Sequence, residues 1–181
     1  MIAAVDAYER LELDKLIFIP TANQPLKQDK PAIAPAEDRL QMVRLLVAND
    51  ARFEVSETEI ERGGLSYTVD TLEELARKYE GAELILVLGM DSLATFSRWV
   101  RPERIKELAR FGVLTRTTVS KDKLEKETGS EMPDGATLVT ARRIDVSSSE
   151  IRQRIRAGKS IKGFAAESVE EFIRSAQLYT S

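Results

Sequence analysis

A doubly wound α/β fold on a parallel sheet is predicted by three features of the 181-residue sequence. Short apolar runs alternate with amphipathic stretches of helical period. The runs lack the polar alternation of half-exposed strands, and no repeat or linker interrupts the series. A chain of this length can bury a core of its own and reads as one α/β domain spanning 1–181.

The elements follow in order. Ile2, Val5, Tyr8 and Leu11 recur at about one turn and predict an opening helix. Leu16-Ile17-Phe18-Ile19 is apolar on both faces and predicts a buried strand. Leu40, Val43, Leu46 and Val47 mark a second helix, and Leu72, Leu75, Ala76 and Tyr79 a third. Leu84 to Leu88 reads as the next strand, followed by a helix carrying Ile105 and Leu108. Phe111 to Leu114 and Thr137 to Val139 complete the strands, and Val169, Phe172 and Ile173 mark a closing helix. Thr117 to Asp134 is charged and irregular, and reads as a surface excursion with a short helix. A parallel sheet grows by strand–helix–strand units, yet this chain opens on a helix. Either a first strand is missing or the fold begins with a helix.

Composition narrows the chemistry. Hydrophobic residues at 43% and charged residues at 31% are ordinary for a soluble globular chain. A formal charge of −3 argues against nucleic acid as a partner of the whole chain. The absence of cysteine excludes disulfides, thiol catalysis and thiolate metal sites. The absence of histidine removes imidazole bases, Ser-His-Asp triads and imidazole-bound metals. Carboxylates, Lys, Arg, hydroxyls, backbone N–H groups and Mg²⁺ are left. The N-terminal MIAAVDAYERLEL carries Asp6, Glu9 and Arg10 and does not read as a signal peptide. No apolar run is long enough to span a membrane, and a cytoplasmic location is expected.

Several segments are candidates for a site. From Arg142 to Lys162 seven basic residues face two acids, which suits a phosphate ligand or equally a solvated helix face. Within it, Ser147 and Glu150 have capping-box spacing, so a helix should start there. Its N-terminus would offer N–H groups to an anion, with Ser148, Ser149 and Arg152 adding donors. Gly89-Met90-Asp91-Ser92 follows a strand, where α/β sheets gather ligands; Gly89 allows close approach, and Asp91 suits a ribose hydroxyl or an N-cap. Arg62-Gly63-Gly64 leads through Leu65-Ser66-Tyr67-Thr68 into a helix, and capping duty alone would account for Thr68 and Asp70. Trp99 lies between Arg98 and Arg101, ahead of Pro102, an unusual core position for a ring able to stack on another. Lys27, in the loop after the first strand, could meet a phosphate.

Taken in order, these segments resemble the nicotinate mononucleotide adenylyltransferases over nearly the whole chain. Leu13 to Pro20 resembles the family's second strand, and Pro25 with Lys27 its Pro-Pro-His-Lys loop, with Leu26 in place of the His. Arg39-Leu40 with Met42-Val43 is similar to its R-x-x-M helix. Arg62 to Leu72 is close to R-G-G-x-S-Y-T-x-D-T-L, the most specific match. Gly89-Met90-Asp91 resembles G-x-D, Trp99 with Arg101 and Pro102 resembles W-x-R-P, and Val146 to Arg152 resembles I-S-S-T-x-I-R.

The resemblance implies a Rossmann-like nucleotidyltransferase fold and transfer of AMP from ATP to nicotinate mononucleotide, giving deamido-NAD and pyrophosphate. It implies direct attack of the mononucleotide phosphate on the ATP α-phosphorus, with Mg²⁺ carried by ATP as cofactor. Carried over by position, Trp99 would stack on the pyridine ring and the Tyr67-Thr68 turn would offer N–H groups to its carboxylate. Lys27 would approach the mononucleotide phosphate, and Gly89 with Asp91 would meet a ribose. Ser148, Ser149 and Arg152 would bind the ATP phosphates. The implied partners are ATP and nicotinate mononucleotide, with a homo-oligomer left open.

The sequence departs from the family at one end. The family carries an early strand and a loop G-G-T/S-F-D-P-x-H-x-G-H, whose two histidines grip the ATP phosphates; this chain has no histidine. About 20 residues, a helix plus a strand, separate that loop from the Phe-Ile-Pro run, and Met1 to Pro20 fills that interval. The expectation is an internal Met read as the start, no catalytic residue retained from the loop, little activity and poor solubility. The alternatives are a sister nucleotidyltransferase acting on nicotinamide mononucleotide or phosphopantetheine, and a non-catalytic nucleotide-binding remnant. A receiver-type domain would need acids clustered at strand ends, where only Asp91 is well placed.

Overall fold

In the computed structural model the described residues are 1–25, 34–129 and 131–180. In chain order the elements are α1 (Ile2–Arg10), β1 (Leu16–Phe18), α2 (Ala36–Val47), β2 (Phe53–Val55), α3 (Thr58–Arg62), α4 (Thr68–Lys78) and β3 (Ile85–Gly89). There follow α5 (Met90–Leu93), a 3-10 turn (Phe96–Arg98), α6 (Pro102–Leu108), β4 (Arg110–Thr115), α7 (Lys121–Thr128), β5 (Thr137–Thr140), α8 (Ser148–Arg156) and α9 (Glu167–Ser175). The predicted helices and strands are all present, and β2 and α3 are additions that the sequence reading missed. The strands form two sheets: β1 pairs with β2, and β3, β4 and β5 lie side by side in that order. The chain divides into two compact units, Met1–Leu16 with Ser66–Arg143 and Ile17–Leu65 with Ile144–Ser181. Among the described residues no helix is long and apolar enough to cross a membrane.

The first unit is built on the three-stranded sheet. β4 is its centre and runs parallel to both neighbours, with Gly112 opposite Val87 on one side and Thr137 on the other. Phe111, Val113 and Thr115 on one face of β4 are buried, and on the other Gly112 is buried and Leu114 partly so, as the unbroken apolar run predicts for a strand covered on both faces. The core gathers Val69 and Leu72 of α4, Leu88 of β3, Leu93, Phe96 and Ile105 around Phe111 and Val113. Phe96 meets Phe111 edge to face at 5.2 Å, a favoured ring geometry. The 117–134 stretch corrects expectation. Its short helix α7 is present, but Leu124 is fully buried and Met132 nearly so, both in this core. One leucine on a polar helix is too weak a periodic signal to reveal an anchor.

The opening helix α1 packs on β4 and β5. It ends in a six-to-one closure, with the Leu13 amide bonded to Tyr8 O at 3.0 Å and Glu12 left-handed at φ 51°. Where the helix ends, Leu11 lies over Gly112: a Cβ at 112 would sit 2.5 Å from Leu11 Cδ1. Glycine leaves room for the Leu11 side chain against the central strand; a Cβ there would force Leu11 to shift. Asp6, 4% exposed, reaches the second residue beyond β5. The Arg142 backbone N–H donates to Asp6 Oδ2 at 2.7 Å and Arg142 Nε donates to Oδ1 at 2.8 Å. The Arg142 backbone bond holds the Asp6 carboxyl below its ordinary value; burial opposes this, and the guanidinium and Arg10 add to it.

The second unit pairs β1 with β2, where Ser56 N–H donates to Phe18 O at 2.9 Å and the rings of Phe18 and Phe53 meet edge to face at 5.7 Å. α2 packs on β2 and on α9, with Ser168 Oγ donating to Leu45 O at 3.4 Å. Leu40, Val47 and Ile173 supply buried apolar surface. α3 stops at Gly63, whose amide meets the carbonyls of Glu59 and Ile60. Gly63 and Gly64 follow at φ 67° and 65°, a double left-handed turn that residues with a Cβ adopt only at a cost.

Two stability predictions follow from the α1 contacts. A carboxylate with a depressed folded-state pKa stabilises the native state above its unfolded value and loses that contribution as pH falls through the folded value. Stability of the unsubstituted protein should therefore fall as pH drops below about 4. Asp6→Asn should cost about 1–3 kcal/mol at neutral pH and lose much of that acid-limb slope, measured by urea melts from pH 7 to 3. Gly112→Val should destabilise by about 1–3 kcal/mol through overpacking. Leu11→Ala in the same chain should recover part of the loss, so a double-mutant cycle with no coupling would refute the contact.

Candidate active site

The first unit brings together five of the residues singled out by sequence. Tyr67 is extended and precedes α4; its carbonyl accepts from the amides of Asp70 at 3.1 Å and Thr71 at 3.3 Å. Thr68 and Val69 open the helix, at its positive end, where backbone N–H groups lack intrahelical acceptors. Thr68 and Asp70 are not side-chain caps: the N-cap position belongs to Tyr67, with no side-chain cap bond. Asp70 instead binds Arg101, its Oδ1 accepting from Nη2 at 2.8 Å. Trp99 is not itself a core residue, as its flanking arginines suggested, but it rests against the core. It is half-buried, packs on the core margin, meets Phe96 edge to face at 5.5 Å and donates through Nε1 to Thr95 Oγ1 at 3.4 Å. Tyr67 packs against the same core cluster.

Gly89 ends β3 and caps α5, with open space where a Cβ would lie. Asp91 is exposed in the first turn of that helix, so Gly89 rather than Asp91 holds the N-cap. Both stand at the carboxyl end of a parallel strand, where a doubly wound sheet offers its ligand crevice.

A cluster of charge missed by sequence reading holds this region. Arg101 sits at φ 50° and ψ 56°, left-handed, and caps α6 with Pro102 at its first position. That conformation costs a residue with a Cβ about 1–2 kcal/mol. Its guanidinium reaches Asp70 and, at 3.2 Å, Glu73; Arg104 also reaches Glu73 at 3.4 Å and Glu107 at 2.8 Å. Partial burial pushes the Glu73 carboxyl up, but the Arg104 hydrogen bond and the Arg101 charge outweigh it and leave it below its ordinary value. The spacing Asp70 to Glu73 is one helical turn and was visible, but its cationic partner lies 31 residues from Asp70.

The second unit holds the serine run. Ser147 is extended and accepts through Oγ from Glu150 N–H at 3.1 Å, so the predicted cap is in place. Ser148 and Ser149 then open α8, and Arg152 Nη2 donates to Ser149 Oγ at 3.2 Å. The basic stretch is partly structural. Arg142 binds Asp6 in the first unit, while Arg154 donates to Ser160 O at 2.9 Å and lies 4.3 Å above the Phe164 ring. Tyr179, unforeseen, is half-buried near Arg152 and Arg39; burial pushes its phenol up, and the two arginines pull it back in part.

Lys27 lies outside the described residues. The described chain beside it is held by Arg39, which donates to Thr21 O at 2.6 Å, Ala22 O at 3.1 Å and Ala34 O at 3.3 Å. Asn23 Nδ2 donates to Gly64 O at 3.0 Å, joining this segment to the glycine turn.

Comparison with known proteins gives this geometry a family. Residues 1–154 match the family model described as cytidylyltransferase-like. A Gemmatimonas aurantiaca protein named "Probable nicotinate-nucleotide adenylyltransferase" is 40% identical over 180 residues, covering 99% of this chain and 84% of the relative. A Corynebacterium kroppenstedtii protein of the same name is 35% identical, covering 99% of this chain and 83% of its own. The structure of Plasmodium falciparum nicotinic acid mononucleotide adenylyltransferase complexed with NaAD superposes with a TM-score of 0.72. It covers 97% of this chain and 88% of its own, at 15% identity, and so bears on the fold alone. With its α/β nucleotidyltransferase fold, its R-G-G-x-S-Y-T-x-D turn and its capped serine run, the chain belongs to the nicotinate-nucleotide adenylyltransferase family within the cytidylyltransferase-like group.

Proposed function

We propose that the protein transfers AMP from ATP to nicotinate mononucleotide, in NAD biosynthesis. A phosphate oxygen of the mononucleotide attacks the ATP α-phosphorus, the bond to the β-phosphate breaks, and pyrophosphate leaves with that electron pair. The observation that carries this reading is the pairing in one unit of Trp99 with the open N-terminus of α4. A flat half-buried ring and a set of backbone N–H groups suit an aromatic acid.

The residues then divide by task. Trp99 stacks on the pyridine ring, and the amides at Tyr67-Thr68 meet its carboxylate. Asp91 accepts from a ribose hydroxyl, and the space beside Gly89 admits the nucleotide. Ser148, Ser149 and Arg152 offer amides, hydroxyls and a guanidinium to the ATP phosphates as negative charge develops on the leaving oxygen. The Ser149 to Arg152 bond supports this by holding the guanidinium over the helix end. Mg²⁺ belongs to ATP in this reading, because it keeps its waters and is usually held by phosphates and few carboxylates. Among the described residues no three acids converge into a cage of their own.

The direct test is pyrophosphate release from ATP with nicotinate mononucleotide, run against nicotinamide mononucleotide and phosphopantetheine. Faster turnover of either competitor would overturn the substrate assignment. Trp99 is the only tryptophan, so nicotinate mononucleotide should quench the protein's indole emission, and Trp99→Ala should weaken its binding by roughly tenfold or more, about 1–2 kcal/mol. Arg152→Ala should raise the KM for ATP about tenfold or more through a lost charge-assisted contact, while leaving the KM for the mononucleotide within about twofold and the melting temperature unchanged. An equal effect on both substrates would remove Arg152 from the phosphate clamp.

A further inference from the structure

The ion pair between Asp70 and Arg101 joins the two segments that carry the proposed aromatic-acid subsite of the first unit. Asp70 is in the first turn of α4, three residues after Tyr67. Arg101 is two residues after Trp99, in the connection that enters α6. The bond is direct, at 2.8 Å, and Glu73 receives the second guanidinium nitrogen at 3.2 Å. α4 and α6 also pack on one another, and Trp99 and Tyr67 rest on the same core cluster.

Stability does not explain the pair well. The side chains of Arg101 and Asp70 are 49% and 38% exposed, a setting in which ion pairs contribute little to folding. Arg101 also holds a left-handed backbone just before a proline, where neither residue favours that shape. Strained backbone that persists beside a binding surface is held by its surroundings, and here the visible restraint is the carboxylate pair on α4. The strained residue fixes the direction in which the chain leaves Trp99. The guanidinium fixes that residue against the helix whose N-terminus would meet the substrate.

We infer that Asp70 and Arg101 are positioning residues, which set the Trp99 ring against the Tyr67-Thr68 turn and so define the slot for the aromatic acid. This rests on the proposed substrate for its ligand, though not for its geometry. Neither residue is assigned contact with a reacting atom.

Three variants separate the possibilities. Asp70→Asn weakens the pair while keeping shape, and Arg101→Lys keeps a charge without the fork. Arg101→Gly tolerates the left-handed backbone and removes the guanidinium, so it separates side-chain restraint from backbone shape. Acrylamide quenching of Trp99 needs no ligand. It should rise in Asp70→Asn and Arg101→Gly and rise less in Arg101→Lys, with melting temperatures within about 2 °C of the unsubstituted protein. Affinity for nicotinate mononucleotide, read by equilibrium dialysis, should fall about tenfold in the first two variants, while ATP affinity stays within about twofold. Unchanged quenching and affinity in both would overturn the inference. So would a loss of both ligands together with a large fall in melting temperature, which would mark the pair as structural. If the unsubstituted protein does not bind nicotinate mononucleotide, the substrate assignment fails, and the quenching arm alone still decides the role of the pair.

Discussion

Burying Asp6 commits the first unit to one arrangement of its ends. A carboxylate taken out of water must find donors of good geometry or become protonated, and removing its partner is costly. The donors here are the backbone N–H and the guanidinium of Arg142, 136 residues further along the chain. That the Asp6 carboxyl stays below its ordinary value shows these bonds outweighing its desolvation. The consequence is positional. α1 is seated over β4 and β5, held at its middle by the Asp6 pair and packed at its end through Leu11 against Gly112. β4 in turn carries Phe111, on which Phe96 and then Trp99 rest in successive edge-to-face contacts. The position of the candidate stacking ring is thus inherited, through packed neighbours, from the seating of the opening helix.

The same residue shows why a basic stretch is a poor guide to a phosphate site. Arg142, Arg152 and Arg154 are close in sequence and equal in charge, yet they have unrelated tasks. Arg142 neutralises a buried acid, and Arg154 stacks on Phe164 while bonding a loop carbonyl. Arg152 alone among the three is bonded to the serine run at a helix N-terminus. What distinguishes it is its place one turn from a capped helix start, where amides, hydroxyls and dipole act in the same direction.

What the sequence made legible was local. Ser147 and Glu150 are three residues apart, and a cap is decided within one turn, so the start of α8 could be read directly. Gly63-Gly64 marked a glycine turn, and the positive φ at both residues is a conformation that few others adopt twice in succession. The strands of the three-stranded sheet were visible as apolar runs, and the central one, β4, is the largely buried one. β2 was hidden because Phe53-Glu54-Val55 is too short to show a period, and α3 because its five residues bury only a glutamate. The long-range pairs were invisible for another reason. Nothing near Asp6 specifies Arg142 rather than another arginine, and nothing near Asp70 specifies Arg101, since each match exists only once the elements between the two residues are packed together. Trp99 lay between these cases: its sequence context marked it as unusual, but its place on the core margin came from Phe96, whose own burial depends on β4.

The 181 residues hold neither cysteine nor histidine, so what they offer a reaction is placement, and that gives the small contacts here their weight. Phosphoryl-group transfer depends largely on where groups are held. Helix ends and rigid rings are well suited to this, because their donors and faces are fixed by backbone and core packing rather than by flexible side-chain torsions. The left-handed Arg101 fits the same pattern. A residue in an unfavourable conformation, tied to two carboxylates on the neighbouring helix, gives up a little stability for a defined direction of the chain. In a site that works by placement, such a trade fits the proposal that Trp99 and the Tyr67-Thr68 turn must keep one spacing, which is where the Asp70 to Arg101 contact lies.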